Sequence, residues 1–293
     1  MVGAVSTRRF VIHPTQDQQF QRCPRAFKLG VVDGWEPRDP VTGLAVGTLG
    51  HKALEAYYRD GRNPADAFAE AYHEWAESLD GPVTDEIHAQ AESVHKIMEY
   101  YPGWAQREDN WAVWYVEQEW EVPVGEVRGI PVVLSGRFDL VVHAQGALWV
   151  VDHKFYDRFP SDKLLGIDTQ FREYALAARL LWPDEPFGGV IANLIHKSWP
   201  SSRSTEVCRR RWLPKSDAEI LNAQERLLER VESLMDATER DRWTPNYGWH
   251  CLSCRFYNVC VEMDTGGNWK DLLELQFRIP GDRKSFGWEE DAV

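Results

Sequence analysis

Between Trp111 and Lys154 the chain runs through WAVWYVEQEWEVPV, IPVVLSGRFDLVVH and ALWVVDHK, separated only by GEVRG and AQG. Runs rich in β-branched and aromatic residues, broken at short glycine-containing turns, predict strand, turn, strand, turn, strand. Helical patterns surround this block. Ahead of it lie a short amphipathic helix at QRCPRAFKLG with Pro24 near its start, a helix beginning around His51 after VTGLAVGTLG, and segments at about 64–79 and 85–101. Beyond it the pattern predicts a helix over 167–182, a strand at GGVIANLIHK with TEVCRRRWLP as its neighbour, and a long helix from Ser216 to about Arg240. Helices, three strands, helix, strands, helix is the order of a mixed α/β sheet rather than of regular βαβ alternation.

No linker or repeat divides the sequence, so one domain is expected over residues 1–265, with a tail at 266–293. With 43% hydrophobic residues and 14 tryptophans among 293, the chain can build a sizeable core, and it is neither disordered nor collagen-like. It has no apolar run of membrane-spanning length, and MVGAVSTRRFVIHPT lacks an apolar leader core, so a cytoplasmic protein is expected. The formal net charge of −13 excludes a globally cationic nucleic-acid coat. It does not exclude a nucleic-acid enzyme, which needs only a local basic track beside an acidic, metal-binding centre. Nucleotide-binding G-x-G-x-x-G and G-x4-G-K-[ST] patterns are absent, as is H-E-x-x-H.

Asp139 lies inside the second predicted strand, and Asp152 and Lys154 end the third. Adjacent hairpin strands can set the two aspartates side by side, and the period of two points Asp152 and Lys154 to one face. Converging carboxylates are hard oxygen ligands for Mg²⁺ or Mn²⁺, and a nearby ammonium can orient a water and offset charge developing on phosphate. D-x-K alone is common, and a surface ion pair is its bland explanation. Asp282 and Lys284 repeat the pattern after Pro280-Gly281, outside any predicted strand. The apolar setting of Asp139, between Phe138 and Leu140, favours the site, because an isolated carboxylate there is costly. His51 reads either as a cap or core histidine, or as a neutral imidazole completing a His, Asp, Asp set. Gln170 and Tyr174, at i and i+4, share a helix face and either reach the lysine, water or phosphate, or simply cover the sheet.

Five cysteines without a leader do not look like a disulfide framework. Cys251, Cys254 and Cys260 form C-x2-C-x5-C, a metal-ligand spacing that needs a fourth ligand from elsewhere. Cys208 reads as an ordinary buried or edge cysteine. Lys197, Arg203, Arg209, Arg210, Arg211 and Lys215 form the main basic concentration. They are either a solvated edge strand or a phosphate track, with Arg210 facing away from Arg209 and Arg211. Most tryptophans read as core; Trp249, just before Cys251, reads equally as core or as a residue serving the cysteine centre or DNA.

Taken in order, GTLGHKALEAYY, GRFDLVV, VVDHKF and QFREYALAARLL resemble the PD-(D/E)XK nucleases of the RecB type. Within them the chain is most similar to the iron–sulfur branch that includes the AddB nuclease domain and CRISPR-associated exonucleases. The resemblance covers about residues 13–265 and lacks the proline before the first motif acid. It implies a restriction-endonuclease-like fold: a central mixed sheet flanked by helices, with a helical N-terminal insertion and a cysteine-clipped C-terminal segment. It implies His51, Asp139, Asp152 and the carbonyl of His153 as ligands of Mg²⁺ or Mn²⁺, with Lys154, Gln170 and Tyr174 as their catalytic companions. It also supplies Cys23, in CPRAF, as the fourth ligand beside Cys251, Cys254 and Cys260, and favours a 4Fe–4S cluster over zinc, which ligand count alone allows equally. The activity implied is hydrolysis of DNA, at ends or in single strands, in recombination, repair or phage DNA metabolism. Lys197, Arg203, Arg209 and Arg211 would meet DNA, a separate helicase or recombination partner could feed it, and the host would be a bacterial, archaeal or phage-infected cell. A catalytically inactive DNA-binding or assembly subunit of the same fold is the alternative.

Overall fold

The computed structural model describes residues 8–38, 42–79, 82–199, 206–281 and 286–290. Its elements begin with β1 (Arg8–Ile12), α1 (Pro14–Arg22), α2 (Pro24–Phe27), β2 (Glu36–Pro37), α3 (Thr42–Asp60), α4 (Pro64–Glu77) and α5 (Asp85–Glu108). The strand-rich block is β3 (Ala112–Val127), β4 (Ile130–Ala144) and β5 (Ala147–Tyr156). It is followed by α6 (Asp162–Gly166), α7 (Thr169–Leu181), β6 (Phe187–His196), β7 (Cys208–Pro214) and α8 (Asp217–Glu239). Next come α9 (Tyr257–Thr265), α10 (Trp269–Gln276), β8 (Phe277–Arg278) and β9 (Trp288–Glu290). The fold is mixed α/β, with a central mixed sheet flanked by helices.

The chain divides into two compact units. The larger draws on residues 40–120 and 137–220, the smaller on 1–39, 121–136 and 221–293. In the larger unit β7, β6, β5 and β4 lie in that order. β4 and β5 are antiparallel with Leu140 opposite Val151, and β5 and β6 are parallel with Asp152 opposite Ala192. A parallel pair cannot be joined by a tight turn, and α6 and α7 supply the crossover. The β4–β5 hairpin turns at Gln145-Gly146, both with left-handed φ (53° and 76°), the conformation a two-residue hairpin requires. Alternation along β5 then sorts the side chains. Phe155 packs with Leu49, Leu54 and Tyr101 from α3 and α5, whereas Lys154 reaches α7.

In the smaller unit β1 runs parallel to the first residues of β4 (Phe10 opposite Val132) and antiparallel to β9. Fully buried Asp17 of α1 is held by Arg230 of α8 at 2.7 and 2.8 Å, so the buried charge is paired. Leu29, Phe256, Val259, Leu273 and Phe277 form a separate core there. The segment beyond residue 265 thus carries α10, β8 and β9.

Two expectations about helices change. His51 is not at a helix start: α3 begins at Thr42 and carries His51 in mid-helix. Two of its glycines, Gly47 and Gly50, are tolerated for different reasons. A Cβ at Gly47 would meet nothing within 4 Å, while one at Gly50 would lie 2.2 Å from the Phe155 ring, so Gly50 allows α3 to press on β5. α5 continues to Glu108 through Pro102, because the turn beyond buries Trp104 and Ala105. The helix expected over 167–182 is α7, which Asp168 caps by accepting from the Gln170 and Phe171 N–H groups, and the short α6 precedes it. Among the described residues no helix is long and apolar enough to cross a membrane.

Candidate functional site

The larger unit gathers its titratable groups where α3, β3, β4, β5 and α7 meet. Asp139 sits one residue before the Leu140–Val151 pairing, so it arrives beside Asp152 as the hairpin register requires. Its Oδ2 accepts the His153 N–H at 2.7 Å and lies 3.4 Å from His51 Nδ1. Burial alone would raise its pKa, but the charge of His51, its contact and the His153 N–H outweigh that, leaving Asp139 below the usual carboxylate range. Asp152, with a side chain 2% exposed, goes the other way. Burial raises its pKa to about 6, with Asp139 adding to the rise and Lys154 opposing it. Burial would lower the pKa of His51, yet Asp139 turns the shift upward.

Lys154 Nζ donates to Asp152 at 3.0 Å and to Gln170 Oε1 at 2.8 Å. Burial opposes its charge, but Asp152 and Asp139 prevail and keep its pKa raised. An ammonium has three donors; these contacts engage two and leave one for a further acceptor. Gln170 is oriented in turn: its amide NH₂ donates to the Tyr174 hydroxyl at 2.8 Å, one helical turn on. Tyr174 is buried, its ring edge-on to Phe138 at 5.3 Å, which places its hydroxyl behind Gln170. The D-x-K pair and the Q-x-x-x-Y pair therefore form one hydrogen-bonded chain.

Two parts of the centre give no sequence signal. The first is Glu117 on β3. Its carboxylate lies within 4.8 Å of donor atoms of both His51 and Asp139, and it is the only such trio of His, Cys, Asp or Glu among the described residues. Its side chain is 5% exposed and pairs with Arg137 at 2.6 Å. Burial, then Asp139, raises its pKa to about 7. Its backbone is left-handed (φ 51°), which costs a non-glycine residue roughly 1–3 kcal/mol. The second is a buried network behind β5. Asn193 donates to the Tyr101 hydroxyl at 2.8 Å and contacts His153 Nδ1 at 2.8 Å. Tyr58 stacks on the His153 ring and shares a 2.9 Å hydroxyl contact with Tyr101. Arg210, inward-facing as alternation requires, donates to Tyr58 and pairs with Asp109 between the rings of Trp104 and Trp111. Burial drives the His153 pKa down to about 3, so its ring is neutral.

The basic strand is less free than expected. Arg209 pairs with Glu206 and lies over Phe159, and Arg211 pairs with Asp162 at 2.8 Å. Lys197 is half-buried, while Arg203 and the Asp282–Lys284 pattern lie outside the described residues.

The four cysteines of the expected cluster all belong to the smaller unit. Cys23 caps α2, Cys251 and Cys254 are joined by the Cys254 N–H to the Cys251 carbonyl, and Cys260 lies on α9. Burial raises the Cys254 pKa, with the neighbouring Cys23 and Cys251 adding to it. Arg25 donates to Cys260 Sγ at 3.1 Å and to Asp264 at 2.8 Å. Trp249, on a 3-10 turn (Trp249–Ser253), is 89% exposed. Cys208 is buried in the other unit against α-helical core, as expected of an ordinary cysteine.

The solved structures that resemble the chain include two of similar length. One is a candidate exonuclease from Eubacterium rectale (14% identity, 84% of this chain and 87% of that one, TM-score 0.47). The other is the protein SSO0001 (15% identity, 86% of each chain, TM-score 0.39). No curated protein matches. The family comparison bears on the whole arrangement: residues 12–261, which include His51, Asp139, Asp152, Lys154, Gln170 and all four cysteines of the smaller unit, match one family model. The chain belongs to the PD-(D/E)XK nuclease superfamily.

Proposed function

We propose that the chain is a Mg²⁺- or Mn²⁺-dependent deoxyribonuclease acting on DNA ends or single strands, in recombination, repair or phage DNA metabolism. The observation that carries this is the placement of Lys154 between Asp152 and Gln170, beside Asp139 and His51. The donor set fits a hard divalent ion: two carboxylates, an imidazole and, from the same strand, the His153 carbonyl. When bound, the ion supplies Lewis-acid stabilisation of charge on the phosphate and eases deprotonation of water. Lys154 does the positioning. With two N–H groups committed to Asp152 and Gln170, its third is aimed by them at the attacking water or the phosphate. Gln170 keeps the ammonium from collapsing wholly onto Asp152, and Tyr174 fixes which way the amide points. A held donor of this kind needs no reorganisation as charge develops on phosphate.

The four thiols Cys23, Cys251, Cys254 and Cys260 are assigned to a 4Fe–4S cluster that ties α2 to α9. In its support, all four thiols belong to the smaller unit, Cys23 and Cys251 both act on the Cys254 pKa, and Arg25 already offers a donor to the Cys260 sulfur. Lys197, Arg209 and Arg211 are assigned to phosphate contact, exchanging their carboxylate partners for DNA, and a helicase or recombination protein to delivery of the substrate.

The test is a time course on end-labelled single- and double-stranded DNA with Mg²⁺ or Mn²⁺, using anaerobically purified protein. EDTA-sensitive degradation that disappears in Lys154→Ala is expected. Equal degradation by the two proteins sinks the assignment, and intact DNA with both favours a non-catalytic DNA-binding subunit.

A further inference from the structure

Two large rings stand in solvent just past the end of β6. Trp199 is 43% exposed and Tyr100, on α5, is 38% exposed, and they meet edge to face with centroids 6.0 Å apart. An edge-on contact covers one ring face at most, and the exposure leaves other faces open. A lone exposed ring is ordinary. This pair differs by its setting. Lys197, two residues before Trp199, donates its backbone N–H to the Tyr156 carbonyl at 2.9 Å, which fixes the segment to the end of β5. Near the same strand end Phe159 and His196 lie 4.2 Å apart with Arg209 over the Phe159 ring, so a second cation is held there. Trp114, as exposed at 38%, lacks this setting: the rings of Tyr115, His143 and Trp182 lie 4.7, 4.9 and 5.4 Å from it.

The strand register ties the pair to the Lys154 centre. Lys154 lies opposite Leu194 in the parallel β5–β6 pairing, and Tyr156 opposite His196. Trp199 is five residues past Leu194, so its backbone is at most about 18 Å from the level of Lys154. That is roughly five nucleotides at the spacing of a duplex strand. The chemistry selects the occupant. Inside a duplex the base faces are buried in the stack, and only a base out of the helix can lay its face on a ring. Cations beside the rings suit a polyanion, whereas an apolar protein segment has no use for them.

We propose that Tyr100 and Trp199 form a stacking platform for unpaired bases, which favours single strands and frayed ends over closed duplex. It rests on the DNA-cleaving reading of the Lys154 centre, and it adds the residues that set the strand preference.

The test uses the full chain with its cysteine centre intact, in EDTA so that DNA stays whole. Fluorescence anisotropy follows binding to labelled oligothymidylate of about 20 nucleotides, longer than such sites span, and to a closed hairpin duplex. Trp199→Ala should weaken oligothymidylate binding about fivefold to a hundredfold, the scale of one lost base stack, and leave duplex binding unchanged. Trp199→Phe, which keeps a ring face, should recover most of the loss. The dependence of affinity on salt should stay the same in both, because a ring displaces no counterion, whereas Lys197→Ala should lower the slope by about one unit. Trp114→Ala should bind as wild type does. Equal oligothymidylate binding by Trp199→Ala and wild type, or an equal loss on single strand and duplex, overturns the platform alone. Wild type that binds neither DNA defeats the DNA-cleaving reading with it.

Discussion

Replacing Arg210 with methionine should unfold much of the support behind β5. The Arg210 side chain is 3% exposed and pairs with Asp109, whose side chain is 18% exposed. Removing one partner of a buried pair typically costs about 3–5 kcal/mol, because the other charge is left stranded. Asp109 retains some access to water and methionine keeps the contacts with Trp104 and Trp111, so the lower end, about 3 kcal/mol, is expected. That is a large share of a domain's stability of roughly 5–15 kcal/mol. Adding Asp109→Leu removes the stranded charge and should recover about half or more of the loss; the remainder is the hydrogen bonds that the Tyr58 hydroxyl made with Arg210 and Asp109. The pH dependence has a definite sign. Burial already raises the Asp109 pKa while Arg210 opposes it, so without Arg210 the rise grows. A carboxyl with a raised folded-state pKa binds more protons folded than unfolded, so stability falls as pH rises through that value. The single mutant should therefore be hurt more at pH 8 than at pH 5, and the double mutant should show no such difference. Urea unfolding of wild type, single and double mutants at both pH values measures all of this. A single mutant within about 0.5 kcal/mol of wild type, or a double mutant no better than the single, refutes the reasoning.

Gly50→Ala should cost about 1–3 kcal/mol through collision with Phe155, whereas Gly47→Ala, with open space around it, should stabilise α3 by about 0.5–1 kcal/mol; thermal melts that rank them otherwise contradict the packing. Asp152→Ala should lose both DNA cleavage and tight Mn²⁺ binding. Lys154→Ala should bind Mn²⁺ at least as well as wild type yet cleave about a hundredfold or more slowly, the scale of one preorganised contact; parallel titrations and rate assays separate the two. Cys23→Ser should abolish the iron and sulfide content of anaerobic protein as completely as Cys254→Ser, and Cys208→Ser should leave it intact.

The parts of this molecule that were legible are those set by local rules. The β3–β4 and β4–β5 turns could be placed because Arg128-Gly129 and Gln145-Gly146 supply consecutive left-handed residues between strand-forming runs. Asp152 and Lys154 could be paired because strands alternate, and Gln170 and Tyr174 because helices repeat. His51 was misplaced within its helix for a reason that is not local: whether a glycine interrupts a helix depends on what presses against it, here Phe155. Glu117 was invisible for a related reason. It stands in VEQEWE, where Glu119 and Glu121 at the same alternation are exposed, and only a left-handed backbone that no residue type announces turns it inward. The Tyr58, Tyr101, Asn193 and Arg210 network joins four elements, and no sequence period brings them together.

The opposite shifts of Asp139 and Asp152 follow from which faces of β4 and β5 they meet. Asp139 is given the His153 N–H and His51, which hold its pKa below the usual carboxylate range. Asp152 is given a lysine that it must share with Gln170, and it stands behind a neighbour already charged. Two buried carboxylates with one shared ammonium leave an excess of negative charge that the folded chain tolerates only at a cost. The surrounding structure bears it because each group is fixed by a regular element and not by a loop: His51 by α3 pressed on Phe155, Asp139 and Asp152 by a hairpin in register, and Gln170 by a capped helix. Rigidity and concentrated carboxylates together suit the centre to the divalent cation that the proposed function requires. Relaxing either one, by loosening Gly50 against Phe155 or by neutralising Asp152, should weaken cation binding without touching the cysteines, which belong to the other unit.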